Sequence, residues 1–279
     1  MVIGSKVVSL RSYRSRILIV SLIVVVVLLV SLLAYQSLVV TNGSVRVKNA
    51  AELRDAVNKA EVGVHVDIVL TKDISLGPEL TIPAGADITL KSAGGRGFFR
   101  LIGLDGQNVI TIMSGGRLTL DGIIVMHENG DRGLGVSVFG GTLIMVNGEI
   151  SGNTDDRGGG VNISAEGVFE FVGGVISGNA ATWGGGVYNW GTFEMYGGKI
   201  SGNTATLTYA WAHNGGYGGG VYMMYGSFSM SGGEISGNTA LQSGGGVYID
   251  GTMNSFERLG GEISGNTANI DNDVGNGTE

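Results

Sequence analysis

The strongest constraint on the fold is a phrase that keeps returning. Ile-Ser-Gly-Asn begins at residues 150, 176, 200, 235 and 263, with offsets of 26, 24, 35 and 28. Gly-Gly-Gly-Val begins at 158, 184, 218 and 244, with offsets of 26, 34 and 26. A third piece precedes the first phrase: Leu143-Ile-Met, Phe169-Glu-Phe, Phe193-Glu-Met and Phe228-Ser-Met. Each piece alternates apolar and free positions, the mark of a strand with one buried face. Each is also too short to bury a core alone. Three short strands in a period of about 25 residues fit one turn of a parallel β-helix, in which turns stack ~4.8 Å apart. A propeller blade needs ~40 residues, and a leucine-rich repeat needs a dense Leu signature that is absent.

This repeat assigns the side chains. Ile150, Ile176, Ile200, Ile235 and Ile263 stack inside, as do Val161, Val187, Val221 and Val247 and the row Leu143, Phe169, Phe193, Phe228. Asn153, Asn179, Asn203, Asn238 and Asn266 are expected to form an internal ladder in which each amide bonds to the next turn. Upstream, Leu80–Ile82, Ile88–Leu90, Val109–Ile112 and Leu118–Leu120 keep the alternation without the phrases. Residues 49–60 read as a short amphipathic helix, with Asn49 as N-cap and Glu52 as its partner three residues on. Such a helix would cover the first turn.

Composition closes off other classes. Glycine is 52 of 279 residues but proline only 2, which excludes collagen. Hydrophobic residues reach 43% and charged ones 15%, the reverse of a disordered chain. The absence of cysteine removes disulfides, thiolate metal sites and thiol nucleophiles. A net charge of −7 gives no support to nucleic-acid binding.

Residues 17–40 hold no charge and are 24 in number. As a helix they would span ~36 Å, against a hydrocarbon core of ~30 Å. Lys6, Arg11, Arg14 and Arg16 precede them, so the N-terminus is expected inside and the rest outside. The length favours an uncleaved anchor over a signal peptide. The expected localisation is the cell membrane, single-pass with an extracellular C-terminal domain, or secretion if the segment is cut. Without these residues the chain carries 13 basic and 24 acidic residues, a net of −11. The expected division is a basic stub at 1–16, a membrane span at 17–40, a linker and capping helix at 41–63, the solenoid at 64–268, and an acidic Gly-rich tail at 269–279.

The sequence Gly-Gly-Gly-Val-Tyr, Gly-Thr-Phe-Glu-Met, Gly-Gly-Lys-Ile-Ser-Gly-Asn-Thr-Ala resembles the polymorphic outer-membrane-protein and adhesin-like repeats of the pectate-lyase-like group. The match covers roughly 141–268, with Ile standing where the family's second phrase has Phe. The resemblance implies an all-β, right-handed parallel β-helix and a surface adhesion or recognition role. Together with the N-terminal reading, the expected architecture is a β-helix of roughly eight turns, a short N-terminal capping helix and an N-terminal transmembrane helix.

Function is sought where the period breaks or where outward rows form. The 35-residue offset adds about ten residues within 207–217, carrying Tyr209, Trp211, His213 and Tyr217. Tyr188, Tyr222 and Tyr248 each follow an inward valine and are expected to stack on one outer face. These seven residues are the candidate ligand-binding set, for a glycan or a surface protein. Weak catalytic candidates are Asp155, Asp156 and Arg157, with His127, Glu128, Asp131 and Arg132 one turn earlier. They suit a polysaccharide lyase or hydrolase, and the aspartates would suit Ca²⁺. No other cofactor and no metal site is expected. Expected partners are the membrane through 17–40, a glycan or surface protein, and a second copy meeting the C-terminal end, with no nucleic acid.

Overall fold

A computed structural model describes residues 42–94, 97–128, 130–206, 215–252 and 254–277. They form a right-handed parallel β-solenoid with turns of about 26 residues. Every strand pairing between them is parallel, in sheets of 15, 8 and 3 strands. The long strands Arg117–Met126 and Thr142–Ser151 run round a corner and join two faces into the largest sheet.

Register follows the sequence rows. Ile150, Ile176, Ile200, Ile235 and Ile263 pair in succession. Val161, Val187, Val221 and Val247 do the same, and Val274 extends the row. Leu143, Phe169, Phe193 and Phe228 are followed by Phe256, with phenyl centroids 5.0, 4.5 and 5.1 Å apart along the row. In Val168–Phe171 both phenylalanines are buried, while Val168 and Glu170 are only partly covered. That alternation makes a strand with one face in the core. The irregular upstream turns obey the same rule: Leu80, Ile110 and Val136 pair in order, as do Ile88 and Leu118.

The asparagines bind the turns along the axis. Asn153, Asn179, Asn203 and Asn238 each donate from Nδ2 to the Oδ1 of the next, at 2.9–3.0 Å. Each backbone N–H donates to that same oxygen. The Nδ2 atoms of Asn179, Asn203 and Asn238 also reach the Ile150, Ile176 and Ile200 carbonyls of the preceding turn. Both ends of the row are closed. At one end the ring of buried His127 bridges Asn153 Oδ1, 2.9 Å from Nδ1, and the Gln107 carbonyl oxygen, 3.0 Å from Nε2. Asp273 Oδ1 accepts from Asn266 Nδ2 at 2.9 Å and from its N–H at 3.2 Å.

Helix α1 spans Ala50–Asn58. Asn49 Oδ1 accepts from the Glu52 N–H at 2.9 Å, and the Glu52 carboxylate accepts from the Lys48 N–H at 3.0 Å. The reciprocal cap therefore reaches one residue further back than the sequence spacing implies. Leu53, Ala56 and Val57 face the core. Residues 42–47, read above as linker, pair as a strand with His65–Leu70. Strand Val274–Asn276, inside the segment read as a tail, pairs with Val247–Asp250.

One part of the expected architecture is corrected. Among the described residues no helix is long and apolar enough to cross a membrane. Helix α1 has nine residues and rises only ~14 Å, under half of a ~30 Å core. The transmembrane helix expected at 17–40 lies outside the described residues. The described residues form a solenoid with one short helix. The signal-anchor, the membrane as partner and the single-pass topology are not retained.

Candidate ligand-binding groove

The glycine phrase shapes the site. In each turn, one residue precedes the three glycines and a valine and an outward residue follow them. Arg157, Trp183, Tyr217 and Ser243 precede, and successive members bridge in parallel from turn to turn. Asn162, Tyr188, Tyr222 and Tyr248 follow, again in register. Two walls thus run along the axis, separated by backbone without side chains. Gly218 shows why the floor must be glycine: its φ is +67°, and a Cβ there would lie 2.8 Å from Tyr222 Cα.

Aromatic residues fill these walls over three turns. The resulting groove of about 520 Å³ is lined by Arg157, Trp183, Tyr188, Tyr217, Tyr222, Met224, Tyr248 and Asp250. Tyr188 and Tyr222 stack at 5.3 Å, and Tyr222 and Tyr248 at 5.5 Å. Tyr217 leans across at 43° to Tyr248, with centroids 4.7 Å apart. Stacking buries Tyr188 and Tyr222 to 2% and 6% exposure, so they contribute mainly rims and support. Trp183, Tyr217 and Tyr248 stay partly open and offer ring surface.

The two ends differ in charge. The exposed Arg157 guanidinium sits over the Trp183 and Tyr188 rings, 5.9 and 5.8 Å from their centroids. At the other end Asp250 Oδ2 accepts from the Tyr222 hydroxyl at 2.5 Å. Burial raises the Tyr222 phenol well above the usual range, and the bond to Asp250 raises it further. Burial likewise raises Tyr188, opposed by Arg157 and reinforced by Asp250 and Asp156. Tyr248 is raised by burial and then by Asp250 and Asp271. Beside the groove, Tyr225 is a bulky residue with φ of +61°, and its ring lies 6.3 Å from Trp190. That conformation is strained for a non-glycine residue, and such strain concentrates at functional sites.

Of the seven sequence-derived candidates, Tyr188, Tyr217, Tyr222 and Tyr248 come together here. Tyr209, Trp211 and His213 lie outside the described residues. Trp183 and Asp250 were missed. Trp183 was legible as the residue before its glycine run, in the column of Arg157 and Tyr217. Asp250 carries no such signal, because it meets Tyr222 only across the turn spacing.

The weak catalytic candidates divide. Arg157 lines the groove. Asp155 folds back on its own turn, its Oδ1 accepting from the Asp156 N–H at 2.6 Å, and burial raises its carboxyl above the usual range. The Asp156 carbonyl accepts from the Thr182 and Trp183 N–H groups, tying this turn to the next. Among the described residues no three His, Asp or Glu side chains gather as a metal site, so Ca²⁺ at Asp155 and Asp156 lacks a third such ligand. His127 is committed to the asparagine row, and Glu128 pairs with Arg100 at 2.9 Å. No family model matches this chain and a search of curated proteins returns no match, so the functional reading rests on the groove itself.

Proposed function

We propose that this chain is a recognition rod that binds a glycan lengthwise in the axial groove, in an adhesion or scaffolding role. The observation that carries the reading is the pairing of open Trp183, Tyr217 and Tyr248 rings with polar groups at both ends. Flat aromatic surface takes the apolar faces of sugar rings, while Arg157, Asp250 and the phenols suit their hydroxyls. The geometry matches in length as well: a pyranose unit is about as long as one turn spacing, ~4.8 Å. A glycan running along the axis would therefore meet one aromatic turn per sugar.

The test is a polysaccharide panel offered to the full-length chain, reading both retention and released fragments, with and without Ca²⁺. Retention without release is expected. Trp183→Ala with Tyr217→Ala should weaken it at least tenfold while circular dichroism stays unchanged, since each aromatic contact contributes about 0.5–1.5 kcal/mol beyond its area. Retention that survives both changes would sink the reading. Released fragments that disappear with Asp155→Ala and Asp156→Ala would replace it with a carbohydrate-active enzyme.

A further inference from the structure

Charge in the groove is distributed unevenly, and the aromatic rings amplify the difference. Aromatic faces attract cations through the ring quadrupole. At the Arg157 end the protein supplies that cation itself, over Trp183 and Tyr188. Among the described residues no Lys or Arg lies over Tyr217 or Tyr248 at the other end. That end instead gathers acids. Asp250 lines the groove, and one of its oxygens takes the Tyr222 hydroxyl. Its other oxygen, Oδ1, has no hydrogen-bond partner among the described residues. The charges of Asp250 and Asp271 both reach Tyr248. The register partner of Tyr248 on the next turn is Gly275, so among the described residues its register position offers no side chain to stack on Tyr248. The chain beyond residue 40 adds a net −11, a field that concentrates cations near the rod.

We propose that the Tyr217, Tyr248 and Asp250 end of the groove selects a protonated amine on the bound glycan, as carried by a free hexosamine. The ammonium would lie against the tilted tyrosine pair with Asp250 Oδ1 as its counter-ion. This deepens the glycan reading and rests on it. Arg157 at the opposite end fixes direction along the groove, because it repels the amine and favours hydroxyl or anionic groups.

The experiment titrates the full-length chain with β-1,4-linked oligosaccharides of one length that differ only at carbon 2 of one terminal sugar: hydroxyl, N-acetyl or free amine. The amine oligomer should bind roughly tenfold tighter than the other two. Asp250→Asn keeps an oxygen that accepts from Tyr222 and should pull the amine-to-hydroxyl ratio toward one. Asp271→Asn is a second, gentler variant, since residue 271 has φ of +48°, where asparagine is at ease. It should lower the ratio by a smaller factor. Glu166→Gln, on an exposed turn away from the groove, removes the same charge and should leave the ratio in place. Equal affinity for the three oligomers overturns the inference and leaves the glycan reading standing. Binding of none overturns both. A ratio that falls as far in Glu166→Gln as in Asp250→Asn assigns it to net charge and overturns the inference.

Discussion

Replacing Asn203 by alanine is expected to lower the stability of the solenoid by about 4 kcal/mol, at 1–3 kcal/mol per buried polar group left unpaired. Asn203 is fully buried at the middle of the row. Its Oδ1 accepts from both the N–H and the Nδ2 of Asn179. Its Nδ2 donates to Asn238 Oδ1 and to the Ile176 carbonyl. Alanine leaves two donors and a carbonyl stranded, and the walls of the coil cannot open to admit water. Asn162→Ala is the comparison. It removes an amide from the outer face of a neighbouring strand, where solvent replaces what is lost, and should cost under ~0.5 kcal/mol. Urea unfolding of the two variants measures the difference. A cost below about 1 kcal/mol for Asn203→Ala would mean that the row is not a principal tie between turns.

The second large effect is expected at Gly219. A Cβ there would stand 2.5 Å from the Gly245 carbonyl oxygen and 2.6 Å from the Thr239 carbonyl. Both are backbone atoms held by pairing between turns, and neither can rotate away. Gly219→Ala should therefore push two turns apart and cost about 3 kcal/mol, the upper range for overpacking. Gly237→Ala makes the contrast. Its φ is +64°, but nothing lies within 4 Å of the added Cβ. The cost there is conformational only, about 1 kcal/mol. Thermal melts should rank the two variants in that order. The reverse order would show that backbone conformation, not close approach of the turns, makes the phrase glycine.

The contrast between these positions explains how far the sequence could be read. Inward rows are legible because each turn repeats the same residue at the same place, so Ile150 and its copies declare their register directly. The asparagine row is legible for the same reason. Its ends are not, because His127 and Asp273 stand outside the repeated phrase and reach the row only in three dimensions. Strand 42–47 was hidden because its partner lies on the far side of helix α1. In the groove, the Tyr188, Tyr222 and Tyr248 row was visible as a repeat. Its burial was not, since spacing alone cannot tell that neighbouring rings cover one another. Asp250 illustrates the limit: one carboxylate, one turn from its phenol, with no periodic signal.

The central claim is that the groove reads a glycan along the rod. Calorimetric titration of the full-length chain with a length series of the retained oligosaccharide tests it most directly. Arg157 to Asp250 spans about three turn spacings, ~14 Å. Affinity should rise with each added sugar to about three or four units and then level off. In Trp183→Ala the long oligomers should lose more affinity than the shortest. A single sugar that binds as tightly as the longest oligomer would contradict lengthwise binding.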